Sequence, residues 1–279
     1  MKNLEYIGQW WIPSQENHTA FGLLTFSENN DFTLDLLGEF KEDNYDIIVG
    51  ETNNQKISLF CCQKTYLSRT NSVTSPILKS YFIQYAFIGK IYEDKLDNLK
   101  FNKFKVSYTF LTEWMNNVSL DNIEIKNHQI EHNQLAKLSV NWNGYKITVI
   151  QNLKCPIHRN ENVELRFTFT DYFEIETSGK TIYEVQEEVI KPLKHFLEIA
   201  TNHHNLITSF EIIDDNRTVK IMGEQGLLQF QKYKYQPLIC FKCHEEKIPQ
   251  IITSWLDLEK KIGWLIDLYC SVKYYTGFI

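Results

Sequence analysis

The chain has 279 residues, 43% hydrophobic and 23% charged, with a formal net charge of −6 and a pI near 5.8. A chain of this length buries about three quarters of its unfolded surface, so it needs neither a disulfide framework nor a metal to fold, and its composition excludes global disorder. The acidic balance lacks the basic footprint of a nucleic-acid binder, whose domain pI usually exceeds about 9. The opening MKNLEYIGQWW contains no apolar signal core, and no run approaches the ~18 apolar residues of a membrane span. The expected location is therefore cytoplasmic. The cysteines at 61, 62, 155, 240, 243 and 270 are read as reduced thiols.

Residues 1–180 read as strands. FGLLTF at 21–26 and FTLDLLG at 32–38 flank the turn cluster Asn29-Asn30-Asp31. Phe32, Leu34 and Leu36 share one face and Thr33 and Asp35 the other, which predicts a hairpin with one buried face. Further strands are predicted at 46–50, 56–62, 80–88, 104–111, 136–142, 145–151 and 163–176. Asn143-Gly144 is the strongest hairpin signal in the chain. Many short strands without intervening helices point to antiparallel sheet, either two stacked sheets or one curled sheet.

The period then changes. Residues 181–202 read as a helix with Ile182, Val185, Val189, Leu193, Phe196, Leu197 and Ala200 on one stripe. Thr181 and Glu184 have capping-box spacing, and Pro192 is expected to kink the helix or shift its start. Residues 206–241 return to strand patterning, as ITSFEII, TVKIM, LLQFQKY and PLICF. Residues 248–278 are helical again, apolar nearly to the last residue, and this face is expected to continue into, or lie against, a partner. The class predicted is α+β and β-rich, with antiparallel sandwich-like sheets over about 1–180 and 206–241, a helix near 181–202 and a last helix near 248–278.

Several residue patterns bear on chemistry. Cys240-x-x-Cys243 is half a zinc site, and Cys155-x-x-His158 is the one pair with spacing to complete it; ordinary buried thiols are the competing reading. Asp121-x-x-Glu124-x-Lys126 resembles the acid and Glu-x-Lys set of a divalent-metal nuclease, with a very short spacer. His203-His204 follows a helix, where histidine suits the dipole without further role. Cys61-Cys62 on a strand places one thiol on each face. Glu174 and Glu176 share a face with Tyr172, read as the solvated side of an edge strand. Trp10-Trp11 is read as core packing that ties down the first strand, with sugar or base stacking as the alternative. Neither a phosphate-cradling Gly loop nor a Gly-x-Ser-x-Gly elbow is found.

Gly8-x-Trp10-Trp11-x-Pro13, Phe21-Gly22-x-Leu24-x-Phe26 and Leu34-x-Leu36-Leu37-Gly38 resemble the start of the ApeA N-terminal domain of bacterial abortive-infection proteins. Trp255, Leu268-Tyr269 and Tyr274-Tyr275 resemble the segment that precedes the family's helical HEPN domain. The resemblance is most specific over residues 8–38. It implies a domain that senses infection and regulates a metal-independent ribonuclease acting on tRNA through an Arg-x4-His motif. The residues five positions before the eight histidines are Pro13, Ile123, Asn127, Leu153, Ile190, Glu198, Ile199 and Ile239, so the motif is absent here.

The expectation is thus a non-catalytic sensing domain over 1–247, followed at 248–279 by the start of a helical region leading to a HEPN domain absent from this chain. No catalytic residue and no cofactor are assigned. The partners implied are a phage-derived protein, a HEPN domain in cis or in trans, and a second copy through the 248–278 helix, with neither membrane nor nucleic acid. Alternatives are a metal nuclease using Asp121, Glu124 and Lys126, or a β-sandwich module binding carbohydrate or peptide.

Overall fold

The computed structural model describes residues 4–13, 15–27, 32–38, 40–52, 55–65, 78–115, 125–126, 129–130, 134–154, 168–223 and 237–275. The elements begin with strands β1 (Leu4–Trp11), β2 (Thr19–Phe26), β3 (Phe32–Leu37), β4 (Asn44–Thr52), β5 (Lys56–Lys64), β6 (Leu78–Ile88) and β7 (Phe101–Tyr108). Next come helix α1 (Leu111–Met115) and strands β8 (Ile125–Lys126), β9 (Gln129–Ile130), β10 (Gln134–Trp142), β11 (Tyr145–Lys154) and β12 (Thr168–Lys180). Helix α2 (Ile182–Val185) runs through a π turn (Gln186–Ile190) into α3 (Lys191–Thr201). Strands β13 (Ile207–Asp214) and β14 (Arg217–Met222) follow, and α4 (Ile248–Cys270) ends in a second π turn (Ser271–Tyr275). The chain forms two compact units: Met1–Phe101 with Gly179–Ile182 and Ser209–Gln229, and Asn102–Ser178 with Tyr183–Thr208 and Phe230–Ile279.

In the first unit the curled sheet closes on itself. Hydrogen bonding runs β1-β2-β3-β6-β5-β4 and back to β1, every pairing antiparallel, so six strands make a barrel without a free edge. The alternation read from sequence fills it: Leu24, Phe26, Phe32, Leu34 and Leu36 are buried, as are Ile48, Leu59 and Ile83. Trp10 is fully buried and its Nε1 donates to the Gly22 carbonyl at 3.3 Å, which bears out the core reading of that residue. The indole lies over Gly50, its register partner, where a Cβ would come within 2.2 Å of the ring. Cys62 is buried and Cys61 half-buried, but Cys61 interrupts β5 with a left-handed backbone (φ 54°), so simple strand alternation does not describe this pair. Outside the ring, β14 pairs with β6, and β13 with β14 through Asp215 and Asn216 at φ 48° and 60°, the signature of a type I′ turn. Asp214 there accepts hydrogen bonds from Lys90 Nζ at 2.5 Å and Tyr92 Oη at 2.9 Å.

The second unit orders its strands β10-β11-β12-β7. Asn143 and Gly144 turn at φ 46° and 82°, the conformation that the Asn-Gly pair favours. Helix α3 buries Leu193, Phe196, Leu197 and Ala200, the stripe read from sequence. Trp114 meets Phe196 and Phe241 edge-on at centroid distances of 5.4 and 4.9 Å.

Several sequence expectations are corrected here. One is met: Pro192 stands in the first turn of α3, which begins at Lys191 directly after the π turn, so the helix start is shifted as expected. Side chains also bond to the backbone here: Ile190 O accepts from Tyr108 Oη at 2.7 Å and Pro192 O from Trp255 Nε1 at 2.8 Å. PLICF is no strand; the N–H groups of Leu238 and Ile239 instead donate to Ala200 O at 2.8 and 3.1 Å, near the C-terminus of α3. The strand expected over 104–111 stops at Tyr108, and α1 follows. β12 is an interior strand, not an edge: Glu174 and Glu176 take Lys103 at 2.9 and 3.5 Å, and Glu176 also takes Lys146 at 2.9 Å. The turn cluster 29–31 and the LLQFQKY segment lie outside the described residues.

Asp171 on β12 is 5% exposed, and burial raises its carboxyl pKa, partly offset by Thr112 and Gln151. A raised folded-state pKa means that the ionised form, present at neutral pH, is the destabilised one, and protonation removes the cost as pH falls. Asp171→Asn is expected to gain on the order of 1 kcal/mol at pH 7, a gain that fades toward pH 4. Urea midpoints at the two pH values check it.

Candidate functional site

The second unit concentrates its polar burial where α3, α4 and the β10–β11 hairpin meet. A cleft of about 420 Å³ opens there, lined by Trp142, Glu187, Lys191, Lys260, Trp264 and Asp267 among others. The Asn-Gly turn sets Trp142 at the rim, where its Nε1 donates to Asp257 Oδ1 of α4 at 2.8 Å. Trp142 stacks on Tyr145 at 6.3 Å, and Tyr145 Oη donates to Glu188 Oε2 at 2.7 Å. Burial, then the Glu188 carboxylate, pushes the Tyr145 phenol well above its ordinary pKa.

Beneath the cleft lies a charged network that helix spacing creates. His195 and Glu198 sit three residues apart on one face of α3. His195 Nδ1 lies 2.9 Å from Glu259 Oε1, and its Nε2 lies 3.3 Å from Asp267 Oδ1. Asp267 Oδ2 takes Lys191 Nζ at 2.8 Å. Burial lowers the Lys191 pKa, but Asp267, Glu187 and Glu259 outweigh it and hold the ammonium protonated. Glu259 Oε2 is buried without a hydrogen-bond partner among the described residues. Glu198, fully buried, accepts from His204 Nδ1 at 2.7 Å and the Asn205 N–H at 3.2 Å, with Lys194 at 3.8 Å. Cys270, the last residue of α4, is buried against this carboxylate; burial and then Glu198 push its thiol up to about 12.

Helix α4 carries a second, outward face. Ile248, Ile252, Leu256 and Ile266 are buried, but Leu258, Trp264, Leu265, Leu268 and Tyr269, with Val272 in the π turn that follows, are 42–70% exposed. A soluble surface rarely leaves so many large apolar side chains together on one helix.

The family model described as ApeA N-terminal domain 1 matches residues 5–255. The chain belongs to that family. No curated protein and no solved structure matches it. ApeA N-terminal domains are parts of anti-phage abortive-infection proteins, and the match runs from the first barrel strand into α4.

In this ApeA domain the sequence-derived sites fare differently. Asp121, Glu124, Cys155 and His158 lie outside the described residues, and Lys126 is described only as the backbone of β8. Cys240 and Cys243, expected as reduced thiols or half a zinc site, are brought side by side by the turn entering the 3₁₀ segment Lys242–Lys247, with their Cα atoms 5.3 Å apart, within disulfide reach, and the Cys243 N–H donates to Cys240 Sγ at 3.2 Å. His203 stacks on Phe110 at 4.7 Å, and burial lowers its pKa. His204 is a Glu198 partner rather than a mere helix-end histidine. The residues that sequence reading passed over are His195, Glu198, Glu259 and Cys270. Only the His195-x-x-Glu198 spacing beside an apolar stripe signalled them. Among the described residues no helix is long and apolar enough to cross a membrane.

Proposed function

We propose that this ApeA domain is the non-catalytic sensing and regulatory part of an abortive-infection ribonuclease, recognising a phage-derived protein and controlling a tRNA-cleaving HEPN effector in cis or in trans. The observation that carries this reading is the outward apolar face of α4, which is built to be covered by protein. The inward face of the same helix is held to α3 by Trp255 and Glu259 before a kink at Ile262 and by Asp267 after it, so a change at the cleft reaches the outward face through the packed α3–α4 contacts on both sides of that kink. The cleft, with Trp142 and Trp264 set among lysines and carboxylates, suits a peptide segment of the phage protein. The same pair of tryptophans favours a carbohydrate as the second reading; the burial of Trp10 does not. The absence of Arg-x4-His supports placing the chemistry elsewhere.

The test is the Leu265→Glu/Leu268→Glu variant in the complete defence protein. Both side chains are about half exposed, so the domain is expected to fold normally while phage protection is lost. Undiminished protection in cells producing the variant at normal levels would remove the proposal.

A further inference from the structure

We propose that His195, Glu198 and Cys270 together bind one divalent metal ion of borderline softness, with zinc the best match to the donors. The three ligand atoms, one from each side chain, lie within 4.8 Å of one another, and all three residues are buried. Three donors converging at that spacing can close around a zinc ion, whose bonds to N, O and S run about 2.0–2.3 Å, with small rotamer changes. The donor set is one imidazole, one carboxylate and one thiol. Thiolate and imidazole exclude magnesium and calcium, which take oxygen, and match zinc.

The surroundings supply what a metal site needs beyond its ligands. The Glu259 carboxylate holds His195 Nδ1 at 2.9 Å, fixing the ring and leaving Nε2 as the ligand nitrogen. Asp267 stands outside the three converging donors, its Oδ1 3.3 Å from that Nε2 and its Oδ2 held by Lys191. His204 and the Asn205 N–H orient Glu198. The buried carboxylates of Glu198 and Glu259, with the part-exposed Asp267 beside them, outnumber the ammonium groups of Lys194 and Lys191, and a dication offsets the surplus. On binding, the Cys270 S–H bond gives its proton to solvent and the thiolate takes the metal; no electron is transferred. Ligands from α3 and from the end of α4 would staple the two helices together. This role is structural and does not depend on the regulatory reading above.

The experiment is a cobalt titration of the full chain after stripping with a strong chelator. Co²⁺ is expected to bind one equivalent with a near-ultraviolet thiolate-to-cobalt charge-transfer band, and Zn²⁺ to displace it. Saturating Zn²⁺ is expected to raise the melting temperature by about 5 °C or more. Cys270→Ser should lose the band, and His195→Gln should weaken Co²⁺ binding at least about tenfold. The Cys240→Ser/Cys243→Ser variant should keep it. Absence of the band in the wild-type chain overturns the proposal without reference to any variant. So does a band that survives Cys270→Ser or that vanishes only with the Cys240/Cys243 pair.

Discussion

Gly50→Ala is expected to destabilise the chain by about 3 kcal/mol, the upper end for overpacking. The added Cβ would stand 2.2 Å from Trp10 Cε3, 2.6 Å from Cζ3 and 2.7 Å from Cδ2. The indole cannot retreat, because it is fully buried and its Nε1 is tied to Gly22 O, where a Cβ would in turn meet Trp10 Cδ1 at 3.2 Å. The tryptophan thus lies flat across two strands at positions where only glycine leaves room. Trp10→Leu alone is expected to cost ~3 kcal/mol through the cavity it opens. Combined with Gly50→Ala it should cost clearly less than the two added, because the smaller side chain removes the clash. Urea unfolding of the two single variants and the double variant measures the coupling. A Gly50→Ala chain within about 0.5 kcal/mol of wild type, the range of an inconsequential surface change, would contradict the packing described.

Glu198→Ala is expected to cost about 3–5 kcal/mol, the range for breaking a buried ion pair from one side. The carboxylate has no solvent exposure, and its loss strips His204 Nδ1, the Asn205 N–H and Lys194 of a shared acceptor. Glu198→Gln keeps an oxygen for the Asn205 N–H and is expected to cost roughly half as much. Thermal or urea unfolding of the two variants separates charge from hydrogen bonding. Equal costs would show that the charge at this position is immaterial.

What the sequence revealed and what it hid have one physical cause. Period-two alternation in β2 and β3 and the Asn143-Gly144 pair are local signals, so the antiparallel β-rich class and the hairpins were legible. The family was legible for the same reason, through a dense motif in the first strands. Barrel closure was not, because it depends on β6 reaching both β3 and β5, which no local pattern encodes. Pro192 was legible as a residue that shifts a helix start, since its missing N–H is a local property, whereas the π turn that joins α2 to α3 has no local signature. PLICF has strand composition, yet the unsatisfied carbonyl of Ala200 captures its N–H groups. The buried network escaped because His195 and Glu259 stand 64 residues apart and meet only once α3 and α4 dock. The two apolar faces of α4 were visible as an excess of apolar positions, but their division into covered and open needed the packing.

The most direct measurement is tRNA integrity in phage-infected cells producing the complete defence protein, as wild type or with Leu265→Glu/Leu268→Glu, beside the purified 279-residue chain incubated alone with labelled tRNA. Infection-dependent cleavage by the wild type, none by the variant and none by the isolated chain is the expected pattern. Cleavage by the isolated chain, or by the variant as strongly as by the wild type, would contradict a domain that senses and regulates without chemistry of its own.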